Sequence, residues 1–116
     1  MKKAYRKYVM HSLENTKGER ASVGAVLDKG VLKFGIAICS KEDQFIKKVG
    51  FNKACGRALI ESEISNIGTY EKCIYKIEID EKESINTIFN STAENILAVN
   101  SFACKKRKNK TNERND

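Results

Sequence analysis

The sequence predicts an α+β protein in which an antiparallel sheet of about four strands carries two packed helices. Large apolar residues recur at every second position from 32 to 38, which is typical of a strand over 31–39. The tripeptide Asp28-Lys29-Gly30 has the composition of a turn that joins this strand to the one before it in a hairpin. Apolar residues then recur at helical spacing from Ser84 to Val99.

The predicted elements follow in the order βββαβα. A first strand is expected over residues 5–13, and Asn15-Thr16-Lys17-Gly18 is typical of the turn that ends it. Two strands over 21–28 and 31–39 make the hairpin. A fourth strand over 73–80 follows from a second stretch of alternating residues.

The third strand has faces of very different size. Large apolar side chains point one way and small ones point the other way near the end of the strand. The large set is Leu32, Phe34, Ile36 and Ile38, and the small set includes Gly35, Ala37 and Cys39. A face of small residues permits the close approach of a helix, a second subunit or a ligand.

Ser40 is a suitable N-cap for the first helix, with Glu42 and Asp43 as acids in its first turn, so a helix is expected over about 40–62. A polar loop over 65–71 separates it from the fourth strand. The second helix is expected over 84–99.

The length of 116 residues fits one α+β domain over residues 1–104, followed by a disordered basic tail over 105–116. The net charge of +7 is concentrated at the ends. The first seven residues carry +4 and the last twelve a further +4, so residues 8–104 sum to −1. This distribution favours a small anionic partner over a long polyanion.

The tail has two interpretations. Its basic run could bind nucleic-acid phosphates, or it could be a solvated end that binds nothing specific. The residues concerned are Lys105, Lys106, Arg107 and Lys108.

Composition also restricts the class of protein. No apolar run approaches the roughly 20 residues that span a bilayer, and no signal-peptide stretch follows the basic N-terminus, so a cytoplasmic location is predicted. The four cysteines are scattered and are expected to be free thiols, with neither a metal site nor a cofactor. His11 has no evident partner and no catalytic motif is present, so an enzyme is not expected.

The segment from 43 to 58 contains the candidate binding site. On a continuous helix, five of its residues fall at intervals of four, three, four and three, forming one stripe with charged ends and a bare centre. These are Asp43, Lys47, Gly50, Ala54 and Arg57. Lys47 and Arg57 would bind phosphate, with Lys53 beside them and Arg20 as a further contact. An exposed Asp43–Lys47 ion pair and tight helix–sheet packing at the glycines are the alternative interpretation.

Three aromatic residues are candidates for stacking on a base: Tyr5, Phe51 and Phe89. For Phe89 the sequence favours core packing.

Three motifs in residues 34–58 together resemble a known family. They are Phe34-Gly35-Ile36-Ala37-Ile38-Cys39-Ser40, Asp43-x-Phe45-x-Lys47-Lys48-x-Gly50 and Gly56-Arg57-Ala58. They are similar to the phage Thoeris anti-defence sponges, which sequester cyclic ADP-ribose-type signals. The resemblance implies a non-catalytic homo-oligomer with nucleotide pockets between subunits.

The sequence therefore predicts a phage-type anti-defence protein that binds and sequesters a cyclic nucleotide immune signal. The alternatives are an RNA- or DNA-binding accessory protein that uses its basic ends, and a phage inhibitor of a host nuclease.

Overall fold

Four strands and two helices follow one another in the predicted order βββαβα, which confirms the α+β class. The computed structural model describes residues 5–60, 72–80 and 82–104. The elements are β1 (Arg6–His11), β2 (Arg20–Asp28), β3 (Val31–Cys39), α1 (Lys47–Ala58), β4 (Tyr75–Glu78) and α2 (Ile85–Val99).

The strands form an antiparallel sheet in the order β1-β2-β3-β4. The predicted hairpin between β2 and β3 is confirmed, and Asp28 lies opposite Val31 at its closed end. Lys29 and Gly30 form the connection with φ angles of 53° and 79°. Two successive positive φ angles are the signature of a type I′ turn, whose twist matches that of the strands it joins.

One face of the sheet packs against α2. Phe34 stacks on Phe89 with ring centroids 5.8 Å apart, and Tyr8 lies 5.6 Å from the same ring. Leu32, Phe34 and Ile36 are fully buried on this face, as the alternation in the third strand predicts. This is the larger of the two cores.

The opposite face packs against α1 at very short range. A Cβ atom on Gly24 would lie 2.8 Å from the backbone nitrogen of Cys55, and one on Gly35 would overlap the carbonyl oxygen of Ala54. The small-residue face of β3 is therefore the contact surface of a helix, the first of the three partners that the sequence left open.

The first helix begins later than expected. Ser40 does not cap it, because the Ser40 hydroxyl donates to the Asp43 carboxylate at 3.1 Å inside a tight turn. The backbone at Ile46 is extended, with φ −122° and ψ 118°, and α1 starts only at Lys47. Because the helix also ends at Ala58, the continuous helix over 40–62 is wrong at both ends.

The other boundaries differ by a few residues. β1 is shorter than the predicted 5–13, and β4 covers only the centre of the predicted 73–80. Ser84 caps α2, since its side chain accepts a hydrogen bond from the backbone N–H of Thr87 at 3.3 Å. The polar loop over 65–71 and the tail over 105–116 lie outside the described residues. No helix in the described ranges has the length and apolar character needed to cross a membrane.

Candidate anion-binding pocket

A pocket of about 260 Å³ opens where the N-terminal half of α1 meets the loop over 40–46 and the adjoining ends of β2 and β3. It forms because β3 ends in small side chains on this face and the chain then makes a turn before the helix begins. Its lining consists of Ser22, Ala37, Ile38, Cys39, Asp43, Gln44, Phe45, Ile46, Val49, Gly50 and Lys53.

Ser22 is the fully buried polar residue of the pocket wall. Its hydroxyl shares a hydrogen bond of 2.7 Å with Nδ1 of His11, which lies opposite it on β1. Gly50 packs directly on Ser22, and a Cβ atom at position 50 would overlap the Ser22 hydroxyl. The absence of a side chain at Gly50 therefore lets the helix approach this pair.

The ring of Phe45 links the loop to the sheet. The guanidinium of Arg20 lies 4.1 Å from the ring centroid, and the imidazole of His11 meets the ring edge-on with centroids 5.5 Å apart. Arg20 is held in place from the other side, because its Nε donates to the carbonyl oxygen of Ser12 at 3.1 Å. Phe45 is thus fixed by a cation–π contact and an aromatic contact.

The N-terminus of α1 has no side-chain cap and no acidic residue in its first turn. The first N–H groups of a helix have no partner within the helix, and they give that end a partial positive charge. Lys53 in the lining and Lys47 at the helix start add full charges. Asp43 is the acidic residue of the lining, and its carboxylate already accepts a hydrogen bond from Ser40.

The pKa of His11 is lowered in part by the same positive charges. Burial lowers its pKa from 6.5, and the charges of Lys47 and Arg20 lower the pKa further. Both effects disfavour the imidazolium, which would add another cation to the cluster.

The structure brings together five of the seven predicted site residues. Asp43, Gly50 and Lys53 line the pocket, while Lys47 and Arg20 act on His11 beside it.

The remaining two predicted site residues lie elsewhere. Ala54 is fully buried against the sheet, where a Cβ atom on Gly35 or Gly24 would crowd it. Arg57 donates from Nη1 to the carbonyl oxygen of Ile36 at 3.0 Å. The five residues of the predicted stripe therefore do not share one surface. Gly50 and Ala54 at its centre pack on the sheet, and Asp43 lies in the loop before the helix.

The three aromatic candidates for stacking on a base pack in the two cores. Phe89 on α2 is buried against the sheet in the larger core, as its helical spacing predicts. Tyr5 and Phe51 pack beside Val26 in the smaller core under α1. Phe45 lines the pocket and was missed, although it stands within the Asp43-x-Phe45 motif.

His11 and Ser22 were also missed as pocket residues. They are eleven positions apart in the chain, and only the register of β1 against β2 places them side by side. The expectation that His11 has no partner is wrong for this reason.

The four cysteines are free thiols, as the sequence predicts. In the part of the chain that the structure describes, no group of three or more His, Cys, Asp or Glu residues could hold a metal ion. Cys55 is buried, and burial raises the pKa of its thiol to about 11. The Cys39 thiol lies in the pocket lining and donates to the carbonyl oxygens of Ser40 and Asp43 at 3.6 and 3.5 Å.

Comparison of the chain with protein-family models, with curated proteins and with solved structures yields no match. The case for function therefore depends on the geometry of the pocket.

Proposed function

We propose that this chain is a non-enzymatic binding protein that sequesters a small anionic nucleotide, with a phosphate of the ligand at the N-terminus of α1. The observation that carries the proposal is a pocket at an uncapped helix N-terminus that is lined by Lys53, with the charges of Lys47 and Arg20 acting on His11 beside it.

The phosphate is assigned to the helix end because three effects act there together. Unpaired backbone N–H groups donate to phosphate oxygens, and the helix dipole favours negative charge. Lys53 lines the pocket and Lys47 is the first residue of the helix, so the two cations strengthen the attraction for a phosphate at this end.

The rest of a nucleotide has suitable partners in the same lining. A base would stack on the face of the Phe45 ring that lies away from the Arg20 guanidinium, and base–aromatic stacking contributes about 1–3 kcal/mol. The carboxylate of Asp43 is an acceptor for ribose hydroxyls. These two residues distinguish a nucleotide from inorganic phosphate.

The volume of the pocket limits how much of the ligand one chain encloses. At about 260 Å³ it is slightly below the roughly 300–1,000 Å³ of typical small-molecule sites. A phosphate with its ribose fits this space, and the remainder of a cyclic ADP-ribose-type signal would extend beyond the rim. The signal itself stays a prediction from the resemblance.

Sequestration without turnover is proposed because the Ser22–His11 pair is unsuited to nucleophilic catalysis. Ser22 is fully buried and lies beneath Gly50, so its hydroxyl has no room to attack a substrate. Tight binding then depends on slow release.

The nucleic-acid alternative depends on Lys105, Lys106, Arg107 and Lys108, which lie outside the described residues. That alternative and the nuclease-inhibitor alternative both stay predictions.

Isothermal titration calorimetry tests the proposal with inorganic phosphate, AMP, cyclic ADP-ribose, cyclic dinucleotides and an RNA oligonucleotide. We expect one of the nucleotides to bind more tightly than phosphate. Lys53→Gln should weaken that nucleotide at least about tenfold, which corresponds to 1.4 kcal/mol. Lys48→Gln is the matched control, because Lys48 is exposed on the same helix and does not line the pocket.

Two results would overturn the proposal. One is the absence of nucleotide binding at about 100 µM, a concentration that at least half-occupies any site whose Kd is at or below that value. The other is an equal loss of affinity in Lys48→Gln and Lys53→Gln, which would indicate a general charge effect. RNA binding that requires residues 105–116 would favour the alternative.

A further inference from the structure

His11 is a titratable group beside the pocket that the proposed function leaves unused. It is the single histidine of the chain and lies half-buried at the end of β1. An imidazole in its ordinary state changes charge between about pH 5 and 8, so its surroundings decide whether it carries a proton. Its contacts with the pocket therefore bear on how an anion binds there.

Two residues of the pocket lining contact His11 directly. The Ser22 oxygen lies 2.7 Å from Nδ1, and the centroid of the Phe45 ring lies 5.5 Å from that of the imidazole. A single layer of side chains thus separates His11 from the pocket. Salt screens partly buried charges much less than surface charges, so a charge in the pocket and a charge on His11 interact across this layer.

The hydrogen bond to Ser22 accommodates either charge state of His11. When Nδ1 carries no hydrogen, the Ser22 hydroxyl donates to it, and when Nδ1 is protonated it donates to the hydroxyl oxygen. The 2.7 Å contact is therefore kept in both the imidazole and the imidazolium. Protonation of His11 costs this pair no hydrogen bond.

Two cations packed around His11 oppose its protonation. Burial is the largest effect on its pKa, and Lys47 on α1 and Arg20 on β2 lower the pKa further below 6.5. The loop that packs against the imidazole contributes the uncharged ring of Phe45, and Asp43 of the same loop lines the pocket. An anion bound in the pocket would bring negative charge to this cationic group and remove part of the opposition to a proton.

From these contacts we infer that binding of an anion in the pocket is coupled to the uptake of a proton by His11, so that the protein holds its ligand more tightly as the pH falls. The inference rests on the proposed function, because it requires an anion in this pocket. The coupling is reciprocal, since an anion that favours the imidazolium is itself favoured by the imidazolium to the same extent. A rise in pH then promotes release of the ligand.

The titration of His11 sets the range of pH in which the coupling acts. Well above pH 6.5 the imidazole is neutral in the free and in the bound protein, so affinity does not depend on its proton. As the pH falls, the bound protein takes up the proton first, because the anion raises the pKa of His11. Affinity therefore rises until the free protein is protonated as well.

An NMR pH titration of the imidazole signal in the full chain tests the inference. The probe is inorganic sulfate, which stands in for a phosphate and stays a dianion throughout the range, so the ligand itself does not titrate. The pKa of His11 should be higher by at least about 0.5 in about 50 mM sodium sulfate than in sodium chloride of equal ionic strength. Sulfate should also bind at least about threefold more tightly at about pH 5.5 than at about pH 7.5.

Two lysines of α1 provide a matched pair of variants. Lys53 lines the pocket, so Lys53→Gln should reduce the sulfate-dependent rise in the pKa of His11 by at least about half. Lys48 is exposed and does not line the pocket, so Lys48→Gln should keep the full rise. The comparison of sulfate with chloride in the wild-type protein needs no substitution, so it holds even if a variant fails to fold.

The outcomes separate this inference from the proposed function. A protein that binds a nucleotide, but in which sulfate leaves the pKa of His11 unchanged, would overturn the inference and leave the proposed function standing. If neither sulfate nor any nucleotide binds, both are overturned. A full rise in Lys53→Gln would also overturn the inference, because the proton would then be coupled to an anion outside the pocket.

Discussion

Nη1 of Arg57 lies 3.0 Å from the carbonyl oxygen of Ile36, to which it donates a hydrogen bond. The contact has a structural reason, because β4 pairs with β3 only as far as Phe34. The Phe34 carbonyl accepts from the N–H of Ile74 at 2.9 Å, and the Ile36 carbonyl is the next one on the same edge of the strand. Arg57 therefore completes the sheet edge where the β4 pairing ends.

This contact predicts that Arg57 contributes to stability and not to ligand affinity. Arg57→Gln should lower the free energy of unfolding by about 1 kcal/mol, the typical value for one hydrogen bond. Its nucleotide affinity should stay at the wild-type value, in contrast to Lys53→Gln. Urea denaturation and calorimetry measure the two effects. A large loss of nucleotide affinity with an unchanged free energy of unfolding would mean that Arg57 binds the ligand, contrary to this prediction.

The two glycines of α1 predict opposite responses to alanine. Gly56 is exposed and a Cβ atom there meets nothing within 4 Å, so Gly56→Ala should stabilise the protein by up to about 1 kcal/mol through helix propensity. Gly50→Ala should destabilise it by about 1–3 kcal/mol, because the added Cβ overlaps the buried Ser22 hydroxyl. Thermal or urea unfolding measures both changes.

The pair Ser22→Ala and Gly50→Ala checks the cause. Removing the hydroxyl relieves the overlap, so the double variant should lose less stability than the two single losses added together. Strict additivity would mean that the cost at Gly50 arises elsewhere.

The position of His11 predicts how stability depends on pH. Its pKa in the folded protein is lowered below 6.5, chiefly by burial. As the pH falls through 6.5 the unfolded chain takes up a proton that the folded chain does not, so the free energy of unfolding falls with it. Above pH 6.5 the imidazole is neutral in both states, so this loss of unfolding free energy does not occur. In His11→Gln the slope of unfolding free energy against pH should become shallower between pH 7.5 and 5.

The same residue reports the charges around the pocket. The chain has one histidine, so a single imidazole signal can be followed by NMR. Lys47→Gln should raise the pKa of His11 toward 6.5, because it removes one of the charges that lower it. Lys48→Gln should leave the pKa unchanged. Equal shifts in both variants would contradict a specific effect of Lys47.

The hairpin turn predicts a stabilising substitution away from the pocket. Lys29 adopts φ 53° as the first residue of a type I′ turn, a conformation that favours asparagine over lysine. Lys29→Asn should raise the free energy of unfolding by about 0.5 kcal/mol, whereas Lys29→Ala should not raise it. Urea denaturation of the three proteins gives the comparison.

The sequence by itself determined the order of elements, the hairpin at Lys29-Gly30 and the second helix. Each follows from local rules: a period of two for strands, a period near 3.6 for the helix, and the φ angles that a turn demands. Helical spacing also put forward Lys47, with Lys53 beside the stripe, as candidate phosphate contacts, and their role stays a prediction.

Only the tertiary structure decided where α1 begins and what its small residues contact. A serine followed by acidic residues is a good helix start locally, yet Ser40 and Asp43 bond to each other and the chain stays extended at Ile46. Gly50 fits equally well against a ligand or against a sheet, and the sheet takes most of that face.

The pocket around His11 and Ser22 was decided in the same way. The pair depends on the register of β1 against β2, and the Phe45–Arg20 contact joins residues 25 positions apart. Such long-range pairings have no local signature, because loop closure and sheet register set them together. Net charge likewise could not locate a binding site, because the basic ends of the chain dominate the total of +7. The positive potential at the pocket comes from a few cationic residues that the fold brings together.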